Sequence, residues 1–517
     1  MHVSPLRGAR VVLLEPDINP ITRRFGLPKV ASYPPLAQVR LAGQIDGGGV
    51  EVVDLRIPGE TKRFLRTLSA DPPALVGISL TFTSNGEEAL QIASAIKSAS
   101  PDTLIVLGGT GASEDQDSFW ESDIDFIAFR RADASFPLLV REIRERGRAP
   151  EAPLGFCHRK DGAWVRGDDV EAPPMAKLRP YAWHLLPRRY WRRYFQGFRP
   201  TGMGQTSEGC PFDCTFCSVW KIHGREVSVA SLANIQHDLM SLPSFARNFF
   251  FADDIWMQAS ERQRQELYDP LLDWVASELL PERPDLWLTV ETRTDLFLRQ
   301  DARFKDWIKR GGLMRILFGV EAATNEQLDI FSKRVTMDEN SLAIQKAAEW
   351  GAFVTAQFVI PCDADRQYFD ELVRFLEAHR PWIRVSNFTI ATPLPGTELY
   401  EDALAESPEL ADRNVVTFPA FSLFTALSPM RMDPVEYYEQ VARVYKVANQ
   451  VSFDWGVFEH FWTIATKSPW LLPNTFKMFS GLRGLTRGET FVRTHRDVQG
   501  DRLLGGASDA LAASSPA

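Results

Sequence analysis

The sequence predicts an α/β protein with two successive series of parallel strands, followed by a helical region. Continuously apolar runs alternate with amphipathic segments over residues 9–145, and the alternation resumes near Met203. Residues 401–500 lose this pattern and become helical and rich in aromatic side chains. Strands that are apolar throughout are typical of parallel sheets covered on both faces. At 517 residues, with 44% hydrophobic and 24% charged residues, the chain is long enough for about three domains.

The first series predicts a doubly wound, Rossmann-like parallel sheet. Ligands of such sheets bind at the carboxyl ends of the strands. Three loops, at residues 15–26, 80–85 and 108–113, therefore share the expected ligand-binding rim, and glycines in the last loop permit a close backbone approach. The predicted strands are Val11–Leu14, Val50–Leu55, Ala74–Leu80, Leu104–Leu107 and Ile124–Phe129, with helices near Leu36–Leu41 and Glu87–Ser98.

The second series predicts a partial (β/α)6 barrel, whose catalytic face gathers the loops after the strands. The predicted strands are Met203–Thr206, Asn248–Ala252, Trp287–Thr292, Arg315–Val320, Phe353–Val359 and Val385–Ile390. We expect five regions: a ligand-binding domain over 1–150, a proline-rich connector over 151–200, the barrel over 201–400, a helical domain over 401–500 and a disordered tail over 501–517.

Charge and cysteine usage restrict the partners. The net charge of −9 disfavours nucleic acid, so the basic and aromatic run Arg188–Phe195 is interpreted as a surface segment packed between domains. No apolar run reaches transmembrane length, and the first residues lack the apolar stretch of a secretory signal. Cys157 and Cys362 lie far apart in sequence, so a disulfide framework is not expected. These features predict a cytoplasmic protein.

The most informative motif is the spacing C-x3-C-x2-C formed by Cys210, Cys214 and Cys217. Three thiolates hold a four-iron cluster and leave one iron open to bind another molecule, whereas four thiolates close it. The alternative is a zinc knuckle or buried cysteines. Zinc normally needs a fourth ligand at a recognisable distance, and only His223 lies near.

This motif, with Phe216 before its last cysteine, resembles that of the radical S-adenosylmethionine (SAM) superfamily. The resemblance implies a 4Fe-4S cluster on the three cysteines, SAM chelated by the open iron, and an electron donor such as flavodoxin or ferredoxin. It places Phe216 near the adenine, although core packing is an equally compatible role.

Polar residues near the ends of predicted barrel strands are candidates for holding SAM. Asp253 or Asp254 is expected to accept from the SAM ammonium, or else to cap a helix. Glu291 and Arg293 share one face of a strand, which predicts either SAM or cluster contacts or a structural ion pair. Glu321 ends a segment that resembles the Gly-x-Glu strand end with which the superfamily helps hold SAM.

The first domain, placed before such a motif, resembles the cobalamin-binding domains of B12-dependent radical SAM proteins. The resemblance implies that hydroxyls at the end of the third strand, on Ser79 and Thr81, and the segment at the end of the fourth, Gly108, Gly109 and Thr110, hold the nucleotide tail and corrin.

The lower face of cobalt has no obvious ligand. Ordinary cobalamin domains carry Asp-x-His-x-x-Gly, but this chain has no histidine between residues 3 and 150. Either cobalt is held without a histidine or the domain has lost its cofactor. Arg23, Arg24 and Tyr33, on or near the first rim loop, are candidates for the lower corrin face or else solvated loop residues.

The chain resembles the hopanoid C-3 methylase group in its segments Phe216–Trp220, Glu291–Arg293, Lys333–Val335 and Pro393–Thr397. The resemblance implies a C-methyltransferase that moves a methyl group from SAM, by way of methylcobalamin, to an unactivated or aromatic carbon. The acceptor is expected to be a hopanoid-type lipid or a small molecule of secondary metabolism, such as an antibiotic precursor. The segment Phe129–Asp133 departs from the group's Arg-Gly-Glu-Gly-Glu and leaves the acceptor open.

Two other classes of function remain open: a cobalamin-dependent radical SAM oxidative cyclase, and a non-catalytic cluster protein that senses redox state or binds a partner.

The C-terminal region carries two groups of bulky side chains. Trp455, Phe458, Phe461 and Trp462 have helical spacing, which predicts core packing. The segment 470–487 mixes apolar and basic residues. It is typical of packing on the barrel, and less so of a peripheral membrane contact or a cap over a hydrophobic substrate.

Overall fold

The computed structural model forms two compact units. The first comprises Met1–Asn19, Lys29–Gly209 and Lys221–Ala246, and the second comprises Pro20–Pro28, Cys210–Trp220 and Arg247–Ala517. The structure describes residues 10–17, 24–25, 33–196, 199–257, 260–310, 312, 315–427, 430–452, 462 and 464–499. The C-terminal tail from residue 501 lies outside this range, as do residues 453–461.

The first unit is built around a sheet whose first five strands along the chain are parallel. Their order in space is β2-β1-β3-β4-β5, the doubly wound order whose switch point lies between β1 and β3. All five predicted strands are present, with ends within two residues of the prediction. They are β1 (Val11–Glu15), β2 (Val50–Asp54), β3 (Leu75–Ser79), β4 (Leu104–Gly108) and β5 (Phe126–Ala128).

Two further strands, β6 (Phe156–Lys160) and β7 (Ala163–Arg166), extend this sheet as an antiparallel hairpin. They lie in the stretch interpreted as a connector, for which the sequence predicts no strand. The helices up to residue 240 are α1 (Leu36–Gln44), α2 (Glu60–Ala70), α3 (Gly86–Ala99), α4 (Thr110–Glu114), α5 (Ser135–Arg146), α6 (Arg188–Trp191), α7 (Val219–Ile222) and α8 (Leu232–Met240).

The strand predicted at Met203–Thr206 is displaced. The structure forms β9 at Arg199–Gly204, earlier than predicted, because residues 195–196 (β8) pair with residues 199–200 as an antiparallel hairpin. The following residues Ser207–Glu208 (β10) pair with Ser228–Val229 (β11) instead. The remaining five barrel strands are found at the predicted places.

The second unit contains those five strands, parallel and in sequential order, with helices between them as in a partial barrel. The strands are β12 (Asn248–Phe251), β13 (Trp287–Thr292), β14 (Arg315–Glu321), β15 (Phe353–Ile360) and β16 (Ile383–Ile390). The helices are α9 (Glu261–Gln263), α10 (Asp269–Trp274) and α11 (Leu280–Glu282), joined by two π turns, then α12 (Thr294–Leu298), α13 (Ala302–Lys309), α14 (Asn325–Ile330), α15 (Met337–Glu349), α16 (Arg366–Ala378) and α17 (Glu398–Glu406).

The C-terminal region is helical as predicted, with α18 (Pro434–Ser452), α19 (Leu472–Leu482) and α20 (Gly488–Gln499). The prediction of core packing is wrong for Trp462, which is 72% exposed, because helical spacing shows which residues share a face but not whether anything covers it. Trp455, Phe458 and Phe461 lie outside the described residues. Among the helices that the structure describes, none has the length and apolarity needed to cross a membrane.

Candidate functional site

The rim of the first unit brings the predicted cobalamin residues together. Ser79 at the end of β3 lies opposite Gly108 at the end of β4. The two strand ends are joined further by hydrogen bonds from Leu80 N to the Gly108 carbonyl (2.6 Å) and from Gly111 N to the Leu80 carbonyl (2.9 Å). Thr81 is exposed on the same loop. The rim thus presents hydroxyl groups and bare backbone side by side.

The glycines at this rim have different roles. Gly109 has φ +105°, and a Cβ there would lie 2.6 Å from the Leu80 carbonyl oxygen. At Gly108 a Cβ would meet only the Ala128 Cβ, at 3.5 Å. Gly109 is therefore required by the packing of the two loops, whereas the space beside Gly108 is open.

The same rim has features that fit a broad ligand with an apolar face. The ring of Phe82 is 50% exposed beside Thr81, and ligand clefts combine apolar and aromatic side chains with a few polar groups. The Asn85 side-chain oxygen is buried and has no hydrogen-bond partner among the residues that the structure describes. An unsatisfied buried acceptor is costly unless a ligand or water supplies a donor. The residues present therefore fit a cofactor of the corrin class at this edge.

The candidate residues for the lower corrin face do not all belong to the same unit. Tyr33 belongs to the first unit, where its hydroxyl accepts from Gln196 Nε2 (2.8 Å) and its carbonyl accepts from Arg56 Nη2 (2.9 Å). Arg24 belongs to the second unit, where it is ion-paired with Asp497. Arg23 lies outside the described residues.

Sequence reasoning missed a buried charged cluster at the ends of β1 and β2. Arg56 donates to Asp54 through Nε (2.9 Å) and Nη2 (2.8 Å), and the Tyr194 hydroxyl donates to the same carboxylate (3.1 Å). Burial raises the pKa of Glu15, which accepts from Gln38 Nε2 at 2.6 Å. These residues are far apart in sequence, and only the ends of adjacent parallel strands bring them to one place.

The segment that departs from the methylase group ends in a charged network around the buried Asp133. Asp133 accepts from Arg40 Nε (2.7 Å) and Nη2 (2.8 Å), and it is ion-paired with Arg131 (3.0 Å). Both arginines also engage Glu208. Burial raises the pKa of Asp133, but Arg40 and Arg131 together outweigh that effect, so the pKa is lowered and Asp133 stays ionised.

The second unit contains the loop with the three cysteines. Cys214 is 9% exposed, and Cys210 and Cys217 are partly buried. The Phe212 N–H donates to the Cys210 sulfur, and the Val219 N–H donates to the Cys217 sulfur. Such backbone donors favour the thiolate form that a cluster needs.

Without a bound metal the three thiols are held protonated. Burial is the main cause that raises the pKa of each, that of Cys217 to about 12. Cys214 and Cys210 make smaller contributions to the raised pKa of Cys217, because both lie near it. In the part of the chain that the structure describes, no three Cys, His, Asp or Glu side chains form a site for a single metal ion.

Phe216 packs as predicted for a core residue. Its ring makes an edge-to-face contact with Phe331, with centroids 5.1 Å apart, in a cluster that includes Leu328, Val335 and Ala391. Because Phe216 is only partly buried, part of its surface is available to a ligand, and the predicted position near adenine stays a prediction.

Arg293 lies against the cysteine loop. Its guanidinium carbon is 3.7 Å from the centroid of the Phe212 ring. Nε donates to Asp295 (2.8 Å) and Nη2 donates to the Lys333 carbonyl (2.5 Å). The predicted alternative of an ion pair is thus realised, but with Asp295 rather than with Glu291.

Lys333 lies in a segment that resembles the methylase group, but the sequence assigns it no role. Its ammonium is buried and donates to Glu321 at 2.7 Å. Its neighbours Ser332 and Arg334 have φ values of +53° and +54°, a conformation that costs about 1–2 kcal/mol for residues other than glycine. The loop therefore holds Lys333 in place at the expense of local strain.

Glu291 completes this group. It retains some exposed surface, yet burial and the neighbouring Glu321 raise its pKa to about 7, against smaller opposite effects of Lys333 and a hydrogen bond from Gln357. The second unit thus collects two carboxylates, one ammonium and one guanidinium near three thiols.

The two aspartates after β12 are also near the cysteines. Asp253 is buried, and Asp254 raises the pKa of Cys210 and Cys217. The alternative role as a helix cap is wrong, because the next described helix, α9, is capped by Ser260 in a capping box with Gln263.

Comparisons with known proteins agree with this geometry. A B12-binding domain model matches residues 30–140. Hopanoid C-3 methylase from Methylococcus capsulatus is 30% identical over 465 residues, 88% of this chain and 81% of that protein. An anaerobic magnesium-protoporphyrin IX monomethyl ester cyclase from Cereibacter sphaeroides is 26% identical over 439 residues, 79% of this chain and 66% of that protein.

Solved structures show the same fold. The radical S-adenosylmethionine methyltransferase TsrM from Kitasatospora setae, with cobalamin and a 4Fe-4S cluster bound, has a TM-score of 0.65 at 17% identity and covers 85% of this chain and 91% of that one. The cobalamin-dependent S-adenosylmethionine radical enzyme OxsB, with aqua-cobalamin bound, has a TM-score of 0.63 at 14% identity, covering 98% and 81%. Identity to the methylase over most of both chains shows the family: this chain belongs to the cobalamin-dependent radical SAM methyltransferases, in the group that contains hopanoid C-3 methylase.

Proposed function

We propose that this protein transfers a methyl group from SAM, through cobalamin, to a carbon atom of a hopanoid-type lipid or of another small molecule with an unactivated or aromatic acceptor carbon. The observation that carries the proposal is a largely buried charged group in the same unit as the cysteine loop: Lys333 is ion-paired with Glu321, Glu291 lies near Glu321, and Arg293 lies over Phe212 within that loop. The identity to hopanoid C-3 methylase supports the lipid acceptor.

The charged group suits the amino-acid end of SAM. Carboxylates Glu321 and Glu291 are acceptors for its ammonium, and the Lys333 ammonium is a donor for its carboxylate. Because Lys333 already pairs with Glu321, the two side chains are oriented before a ligand arrives, which lowers the cost of ordering them.

The cysteine loop and the rim of the first unit hold the two metal cofactors in this proposal. Cys210, Cys214 and Cys217 hold the 4Fe-4S cluster, and the rim of Ser79, Thr81 and the segment 108–110 holds cobalamin. When bound, the cluster supplies an electron to SAM and cobalamin carries the methyl group. A reducing cytoplasm and an electron donor such as flavodoxin or ferredoxin fit these requirements.

Mass spectrometry of the product tests the proposal. The anaerobically reconstituted, reduced protein is incubated with cobalamin, SAM bearing a deuterated methyl group, and either a hopanoid lipid or tryptophan. We expect one acceptor to gain a deuterated methyl group. Cys214→Ala should abolish the reaction, and Cys362→Ala should retain it as a matched control, since Cys362 is a buried cysteine that contacts the Ala391 carbonyl outside the loop.

A second candidate is an oxidative cyclase, which the 26% identity to the magnesium-protoporphyrin ester cyclase favours. The same experiment separates the two functions. A product that loses hydrogen and gains a ring without a labelled methyl group supports the cyclase. Failure of the cluster-loaded protein to cleave SAM at all would instead support a non-catalytic cluster protein.

A further inference from the structure

Arg293 has one donor nitrogen for which the described part of the chain supplies no acceptor. Its side chain is buried, with Nε bonded to Asp295 and Nη2 bonded to the Lys333 carbonyl. The third nitrogen, Nη1, is buried and has no hydrogen-bond partner. A guanidinium stays protonated in proteins and keeps all its N–H donors, so an unpartnered Nη1 carries a real desolvation cost.

The position of Nη1 restricts what its partner can be. The guanidinium lies over the ring of Phe212, two residues from Cys210 and two from Cys214. Phe212 belongs to the loop that carries the three cysteines, so the guanidinium charge lies beside that loop. The acceptor that belongs in this place is therefore anionic and lies at the cysteine loop.

We propose that Arg293 Nη1 donates a hydrogen bond to a sulfur atom of the bound cluster and thereby raises the reduction potential of that cluster. The inference rests on the proposed function in that it takes the cluster to be present. It adds a role for Arg293 distinct from holding SAM.

Electrostatics gives the direction of the effect. Reduction adds one negative charge to the cluster, and a nearby cation stabilises the reduced state more than the oxidised one. Hydrogen bonds to the sulfurs act in the same direction, and burial increases both effects. Asp295 holds the guanidinium by its Nε edge and leaves the Nη1 edge turned away from that carboxylate.

The test is a redox titration of the cluster, followed by electron paramagnetic resonance in the absence of SAM. Arg293→Gln is expected to lower the ratio of reduced to oxidised cluster about tenfold at a fixed applied potential, equivalent to ~59 mV for one electron. Arg293→Lys, which keeps the charge but loses the planar fork, should fall between this variant and the parent protein.

Arg299→Gln is the matched control. Arg299 also faces the Asp295 carboxylate, at 3.6 Å, but its side chain is 71% exposed, so its removal should leave the potential unchanged. Iron and sulfide content are measured first for every variant. Parent protein that binds no cluster refutes the proposed function itself, whereas a loaded Arg293→Gln variant with the parent potential overturns this inference alone.

SAM affinity is measured on the same samples. If Arg293→Gln weakens SAM binding but leaves the potential unchanged, Nη1 serves the SAM carboxylate and the inference is wrong. If the Arg293 variants do not bind the cluster, the inference is tested on the parent protein instead. In parent protein with 15N-labelled arginine, the reduced cluster should show a hyperfine coupling to a guanidinium nitrogen. Absence of that coupling would also overturn the inference.

Discussion

Replacing Glu291 by glutamine should make the protein without its cofactors more stable at neutral pH. Burial and Glu321 raise the pKa of Glu291 from an ordinary 4.5 to about 7 in the folded protein. Between these two values the folded state holds a proton that the unfolded state has released. Stability of the parent protein therefore falls as pH rises from about 4.5 to about 7, and the loss is complete above that range.

The magnitude follows from the same two values. At ~1.4 kcal/mol for each pKa unit, the difference corresponds to ~3 kcal/mol at most. Glu291 keeps part of its surface exposed, so solvent screening reduces this figure. Glutamine imitates the protonated acid and can still accept from Gln357, and Lys333 keeps its partner Glu321. The variant should thus equal the parent protein near pH 4.5 and exceed it above pH 7.

Urea denaturation at a series of pH values between about 4.5 and 8 measures the difference. Glu282→Gln, at an exposed position of the same unit, controls for the loss of one negative charge and should follow the parent curve throughout. Parallel curves for Glu291→Gln and the parent protein would refute the argument, because they would mean that the carboxyl titrates alike in the folded and unfolded states.

Three further substitutions test interactions within the individual units. Lys333→Met leaves a buried carboxylate without its partner and should cost about 3–5 kcal/mol in urea denaturation, whereas Lys309→Met, at an exposed site, should change stability by less than ~0.5 kcal/mol; equal effects would contradict the buried ion pair. Gly109→Ala should weaken cobalamin binding at least tenfold in a spectroscopic titration, because its Cβ would lie 2.6 Å from a carbonyl oxygen. Gly59→Ala, which also has positive φ but nothing within 4 Å, should bind cobalamin normally, and a loss in both variants would point to backbone strain instead. Arg40→Met removes the shared partner of two buried carboxylates and should lower the melting temperature more at pH 7 than at pH 4, and a loss independent of pH would reject the electrostatic explanation.

Local sequence patterns predict much of the fold and part of the candidate site. Short apolar runs predict parallel strands because both faces of such a sheet are covered, and the cysteine trio lies in one loop and needs no tertiary information. Lys333 could not be assigned in this way. Its pairing with Glu321 depends on a loop with two left-handed residues, a conformation that composition and periodicity do not reveal. Trp462 shows the converse error. Its helical spacing predicts a buried position, but the residue is exposed, because spacing does not show whether another element covers that face.

Backbone strain is concentrated around the end of β14, where Glu321 pairs with Lys333. Glu321 has φ +67°, which ordinary strand residues avoid, and its carboxylate turns back over Gly319. A Cβ at Gly319 would collide with that carboxylate and lie 2.9 Å from Lys333 Nζ. Glycine two residues before the glutamate thus leaves room for this folded-back carboxylate, and a larger residue there would require the ends of the Glu321 and Lys333 side chains to shift. The left-handed conformations of Glu321, Ser332 and Arg334 around this ion pair cost several kcal/mol together. Strain of this kind clusters at ligand sites, which agrees with the SAM-binding role proposed above for Glu321 and Lys333.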